Sequence, residues 1–230
     1  MKHKSLAAIT AACLAICLLF AGCSVDPEKY PPIEAPDVSA MTLETIENSD
    51  MTVQYPSVEW VGVDGTVPLT VYYAGTMDSD STKVNINVQQ ISTYSGTLDE
   101  KFMNDLVSGL TETYPSMDIR KAELRSVNGK GIVYMETVTT FTEAMVSMAL
   151  ESGMLTQEDI DNAGGMDALL ASIPPTDQIM IYAVNSVYLY LYTGTYYEES
   201  QKDDVLSGIL VMIQTTKDKP KENAMTKLFQ

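Results

Sequence analysis

"KAELRSVNGKGIVYMETVTT", from Lys121 to Thr140, decides the fold class. Two strand-like runs flank Asn128-Gly129. That pair suits a two-residue primed turn, because both central residues must take positive φ and Asn and Gly do so at least cost. The stretch therefore predicts an antiparallel hairpin. A second hairpin is predicted in "QIMIYAVNSVYLYLYTGTY", Gln178 to Tyr196, around Asn185-Ser186. In its second arm Val187, Leu189 and Leu191 alternate with Tyr188, Tyr190 and Tyr192, so the two sets leave by opposite faces.

Upstream, "MTVQYP" (51–56), "VPLTVYYAG" (67–75) and "KVNINVQQIS" (83–92) each read as a strand. In the third, Val84, Ile86 and Val88 alternate with the amides Asn85, Asn87 and Gln89, which reads as a solvated strand face. "GTLDEKFMNDLVSGLTETYP" then changes period. Leu98, Phe102, Leu106, Leu110 and Tyr114 recur at helical spacing, Thr97 and Glu100 form a capping-box pair, and Pro115 marks the stop. A last helix is expected from Ser200 to about Thr215, with Val205, Leu206, Ile209, Leu210 and Ile213 as its buried stripe. Between the hairpins, "TEAMVSMALESGMLTQEDIDNAGGMDALLASIPP" (142–175) predicts two or three short helices. Thr142 and Thr156 act as N-caps, and Gly153 and Gly164-Gly165 as stops. The fold class expected is α+β: an antiparallel sheet of hairpins flanked by two main helices, with a short helical insert.

The first fifty residues read differently. Lys2, His3 and Lys4 precede an apolar run from Leu6 to Phe20, too short for a span of roughly 20 residues but of signal-peptide dimensions. Residues 1–22 are expected to be removed as a signal peptide. Residues 23–50, with Pro27, Pro31, Pro32 and Pro36 among several acids, read as an extended tether holding at most one helical turn and able to lift the domain off a membrane. The domain is expected over 51–215, the insert over about 142–175, and a polar tail over 216–230.

Two resemblances add to this reading. "LFAGC", Leu19 to Cys23, is similar to the bacterial lipobox, with Phe20 in place of the usual leucine three residues before the cysteine. The resemblance implies cleavage before Cys23 and lipid on its thiol. The protein would then be membrane-anchored in the cell envelope and extracytoplasmic. The order of strands, helix, two hairpins and helix resembles the PsbP-like fold shared with Ran-binding nuclear import factors, which also occurs in bacterial lipoproteins. "VQYPSVEW" (53–60), "NINVQQIS" (85–92) and the late Tyr-x-Leu-x-Tyr-Thr strand carry that likeness. It implies a PsbP-like αβα sandwich and a non-enzymatic binding or assembly module. The methionine-bearing insert is a departure from it.

Composition narrows the chemistry. The net charge is −17, a poor match for nucleic acid, whose affinity rests on phosphate neutralisation. Cleavage before Cys23 would remove Cys13, Cys17 and the single histidine, His3. That leaves no intrachain disulfide, no Ser-His-Asp or Cys-His arrangement and no His/Cys zinc site. No cofactor is expected. "NGKG" lacks phosphate-loop spacing. "EDIDNAGG" offers Asp159 and Asp161, and "DSDST" Asp78 and Asp80, but neither completes a calcium loop.

Two groups remain as candidate binding surface. Tyr188, Tyr190 and Tyr192 are either an exposed stacking platform or core covered by a helix. Met145, Met148 and Met154, with Leu155, are either a contact face for varied apolar partners or gap-filling core. The function expected is a lipid-anchored, non-catalytic binding or assembly module with an envelope protein as partner. The alternative is a receptor for a small apolar or glycan ligand with the insert as lid, and a carboxylate-based hydrolase stands third.

Overall fold

The structure is a computed structural model that describes residues 26–79, 82–153 and 155–219. Cys23, Asp80, Met154 and the tail from residue 220 lie outside the described residues. Ten strands are described: β1 (Leu43–Glu47), β2 (Met51–Pro56), β3 (Trp60–Val63), β4 (Leu69–Tyr73), β5 (Asn85–Thr93), β6 (Met117–Val127), β7 (Lys130–Thr139), β8 (Thr176–Asn185), β9 (Tyr188–Tyr196) and β10 (Lys217–Asp218). The helices are α1 (Glu100–Thr113), α2 (Glu143–Glu151), α3 (Gln157–Asn162), α4 (Met166–Ser172) and α5 (Lys202–Thr215).

Seven strands form one antiparallel sheet in the order β3-β4-β5-β9-β8-β7-β6, and β1-β2-β10 form a smaller one. The β6–β7 hairpin turns where expected. Val127 faces Lys130, and Asn128 (φ 50) and Gly129 (φ 76) fill the two positive-φ places. The β8–β9 hairpin pairs Asn185 with Tyr188, so its two loop residues are Ser186-Val187, one step later than the sequence suggested.

The central strands are buried on both faces, and successive residues feed two cores. On one face Ile132, Tyr134, Ile179, Ile181, Tyr190 and Tyr192 pack beneath α5 with Val205, Ile209 and Met212. On the other Val133, Met135, Met180, Tyr182 and Leu189 pack beneath Phe102, Leu106 and Leu110 of α1. Each fully buried side chain of this size stabilises by roughly 1.5–3 kcal/mol. Helix α5 lies close on the sheet because two glycines permit it. A Cβ at Gly208 would sit 2.6 Å from Ile86 Cδ1, and one at Gly194 would meet Val205.

The structure corrects several expectations. Residues 26–50 are not a tether. Tyr30 is buried and its hydroxyl donates to the Leu98 carbonyl (3.0 Å), Pro32 bridges Ser126 at the edge of β6, and β1 pairs along β2 with Ile46 buried. The predicted helical turn is a 3₁₀ turn at Val38–Ala40, and a strand follows it. β3 was not foreseen. The cap of α1 is Asp99, which accepts from the Phe102 amide (2.9 Å), not Thr97. α5 begins at Lys202, after a 3₁₀ turn at Glu199–Gln201. The tail is not wholly free, because Lys217 and Asp218 pair with Thr52 and Met51.

Candidate functional site

The site grows out of two chain endings. Pro115 cannot extend α1, so the helix closes on Tyr114, whose amide donates to the Leu110 carbonyl (2.8 Å). The chain turns through Tyr114-Pro115-Ser116 and enters β6 at Met117. Beside it β7 ends at Thr139, and the Thr140 amide donates to the Ser116 carbonyl (3.2 Å). Thr142 then caps α2, its hydroxyl accepting from the Met145 amide (3.4 Å). Val146, fully buried, fixes the helix in place.

Met145 and Met148 stand three residues apart and share a face of α2. Between that face and the end of α1 lies a cleft of about 520 Å³, lined chiefly by Tyr114, Pro115, Met117, Thr139, Met145 and Met148. No lining residue bears a charge. The Ser116 hydroxyl donates to the Met145 sulfur (3.6 Å), so part of the small polar lining is already engaged. Met148 (60 % exposed) and Tyr114 (52 %) form the rim. Beneath α1, Phe102 meets Tyr182 edge-on with ring centroids 6.5 Å apart, and burial pushes the Tyr182 hydroxyl up to about 12. This is a non-ionic, mostly apolar recess with an adaptable rim. It can hold apolar matter by contact and offers no carboxylate, lysine or histidine for proton transfer.

The structure therefore joins two of the residues singled out from sequence, Met145 and Met148. Met154 lies outside the described residues. Leu155 is half-buried, its amide donates to the Ala149 carbonyl (3.1 Å), and it does not line the cleft. The tyrosine stripe is core, which overturns its exposed reading. Tyr190 and Tyr192 are at most 1 % exposed beneath α5. The Tyr192 hydroxyl donates to Thr216 Oγ1 (2.9 Å), the Tyr190 hydroxyl donates to the Asp218 carboxylate, and Tyr188 packs half-buried against the same core. Burial pushes both hydroxyls of the buried pair up. Tyr114, Met117 and Thr139 were missed. Helical spacing had assigned Tyr114 to the buried stripe, although the Pro115 stop places it on the last, open turn.

The acidic residues lie elsewhere. Asp159 is held in the capping box of α3 with Thr156, and Asp161 accepts from Gln157 (3.0 Å). Among the described residues no three His, Cys, Asp or Glu side chains converge as metal ligands would. On the α5 face Glu136 accepts from Lys202 (2.9 Å) and from the Tyr134 hydroxyl (2.8 Å). Desolvation raises the Glu136 carboxyl, but these two bonds together with the lysine charge outweigh it and hold the group below its usual range. Among the described residues no helix is long and apolar enough to cross a membrane.

No family model matches the sequence, and no curated protein is similar to it. Among solved structures the chain is similar to cyanobacterial PsbP (CyanoP) from Synechocystis sp. PCC 6803. The TM-score is 0.42 and the identity 12 %, over 82 % of this chain and 99 % of that one.

Proposed function

We propose that the protein is a lipid-anchored lipoprotein of the cell envelope that acts as a non-catalytic binding module, with the Tyr114–Met148 cleft as its binding site. One observation carries the site: an uncharged recess of about 520 Å³ whose rim is an exposed methionine and an exposed tyrosine. Exposed apolar side chains gathered around one recess, rather than scattered singly, support a contact site, and Met and Tyr are both enriched at protein interfaces. The anchor rests on the signal-like segment ending at Cys23. The partner is an envelope protein that inserts an apolar side chain into the cleft. A photo-crosslinking residue placed at Tyr114 will then capture a discrete envelope protein, while the same residue at exposed Asn104 will not. Equal yields at the two positions would remove the cleft from the interaction. Metabolic labelling with a fatty acid tests the anchor, and label retained by Cys23→Ala would end that part of the reading.

The volume also suits a small apolar ligand, since such sites span roughly 300–1,000 Å³. Native mass spectrometry of the protein purified from envelopes separates the two: a bound small molecule lost in Met148→Gln would favour the ligand. The lining gives little support to a glycan, which needs several directed polar groups.

A further inference from the structure

Resting on the lipid-anchor reading above, we infer how the molecule stands on the bilayer. The end of the sheet bearing the Asn128-Gly129 and Ser186-Val187 turns faces the membrane, and the cleft is presented on the far side, away from the lipid.

The first described residues are fixed at the turn end. The Tyr30 amide donates to the Asp26 carbonyl (2.8 Å), and the Ser126 hydroxyl, two residues from the Asn128 turn, donates to the Tyr30 carbonyl (2.9 Å). Cys23 is three residues from Asp26, and three residues reach at most about 10 Å. The cleft lies at the opposite end of the same elements. β6 runs eleven residues from Met117, in the cleft, to Val127, beside the turn. At about 3.3 Å per residue that is about 30 Å. α1 gives a second ruler. Glu100, its first residue, lines a surface hollow with Glu28 and Pro31, while Thr113, its last, lines the cleft. Its fourteen residues span about 20 Å. The Cys23 thiol therefore cannot reach the cleft, and the short link holds the turn end near the lipid.

Charge selects the upright pose over one lying flat. From Gly131 to Gln201 the chain has no Lys or Arg and ten acidic residues, which lie in the insert and toward the cleft end of the strands; Lys202 pairs with Glu136 and Glu199 among them, and Arg120 with Asp177. The exposed Lys29, Lys130 and Lys217 sit at the turn end, with Asp26 and Glu28 beside them. An anionic bilayer attracts lysines close to its surface and repels the acidic end.

The test uses the chain from Cys23 to Gln230, its thiol coupled to a maleimide phospholipid in phosphatidylcholine–phosphatidylglycerol vesicles that carry a dansyl headgroup lipid. Tryptophan donors are placed by Val187→Trp and Met148→Trp, at sites 56 % and 60 % exposed, and the signal of the parent chain with its Trp60 is subtracted. Energy transfer should be several-fold stronger from Val187→Trp. Equal transfer, or stronger transfer from Met148→Trp, would overturn the proposal. Moving the anchor by Cys23→Ser with Glu112→Cys should invert the order. A Val187→Trp signal that stays high from both anchors would also overturn it, because the chain would then lie flat. Because the coupling is chemical, this result stands apart from the fatty-acid labelling that judges the native anchor.

Discussion

Helices α1 and α5 have fourteen residues each and lie on opposite faces of one sheet, yet α5 has seven buried residues and α1 none. The cleaner amphipathic stripe belongs to α1. The α5 sequence carries Val211 and Met212 outside its expected stripe, and both are buried because α5 packs against strands of both sheets. A helix that is apolar on several sides needs neighbours on several sides, whereas a helix with one apolar stripe needs only one. α1 has its one neighbour, the outer part of the large sheet, and its last turn runs past it. The cleft lies at that uncovered end. The same difference separates a face built for stability from one left available for contact.

The largest test removes what the two faces share. The segment 26–50 sends Ile46 into the α5 core and Tyr30 into the α1 core. Two such side chains are worth roughly 3–6 kcal/mol together, against a typical total of about 5–15. A fragment starting at residue 51 should lose its cooperative melt in calorimetry, or melt far below a fragment starting at residue 26. Matching melts would show that the segment is only draped on the surface.

Truncations within each helix should differ in size. Ile209→Ala, at a fully buried site on α5, should cost about 2–5 kcal/mol in urea unfolding, the usual range for a core cavity. Leu106→Ala, half-buried on α1, should cost about 1 kcal/mol, because solvent and neighbours can fill the gap. Similar losses would break the comparison, whichever value they shared.

Ion pairs should divide the same way. Glu136 and Lys202 at the start of α5 are both mostly shielded, while Lys101 and Asp105 on α1 are open to water. The Glu136 carboxyl is held below its ordinary value. Its contribution is therefore full above the unfolded-state value near 4.5 and is lost as pH falls through the lower folded-state value. The Lys202 ammonium is raised by its bond to Glu136, so its share is full below about 10.5 and is lost as pH climbs through the folded value. Glu136→Gln should cost about 1–2 kcal/mol at pH 7 and less in acid, below the lowered folded-state value. Lys101→Met should leave the melt unmoved at either pH. A Glu136→Gln loss that persists unchanged in acid would mean the pair acts through packing alone.

Sequence made the repetitive parts of the fold legible and the singular contacts obscure. Asn128-Gly129 announced its turn because few residues tolerate positive φ. The stripes of α1 and α5 announced themselves by period, and Thr142 and Thr156 by cap chemistry. The segment 26–50 stayed hidden because its buried payload is mainly Tyr30 and Ile46, sixteen positions apart among prolines and acids, which no window can see as a pattern. β3 is four residues long, and of these only Trp60 is buried, so it left no alternation to read. For the site, methionine in a helical insert pointed to Met145 and Met148. The partners come from two other places in the chain, Tyr114 and Met117 from the turn after α1 and Thr139 from the end of β7, and the β6–β7 pairing brings them together. The tyrosine stripe misled in the other direction, since alternation marks two faces without saying which one is roofed.

The smallest effect on stability should accompany the largest effect on binding. Met148 sits on the rim, 60 % exposed, and is not part of either core cluster. Replacing it with Gln keeps the length and helix propensity of the side chain and exchanges a thioether for an amide. Surface changes of this kind usually stay within about 0.5 kcal/mol, so the melting temperature of Met148→Gln should match the parent. Met145 differs: it is half-buried and takes a hydrogen bond from Ser116, so Met145→Gln should cost about 1–3 kcal/mol by placing an amide where little can pair with it. If the cleft is the contact face, Met148→Gln will abolish crosslinking from Tyr114 while leaving the fold intact. Full crosslinking in that variant would show that the exposed end of α1 and the insert are bare surface, and the contrast between the two helices would then concern stability alone.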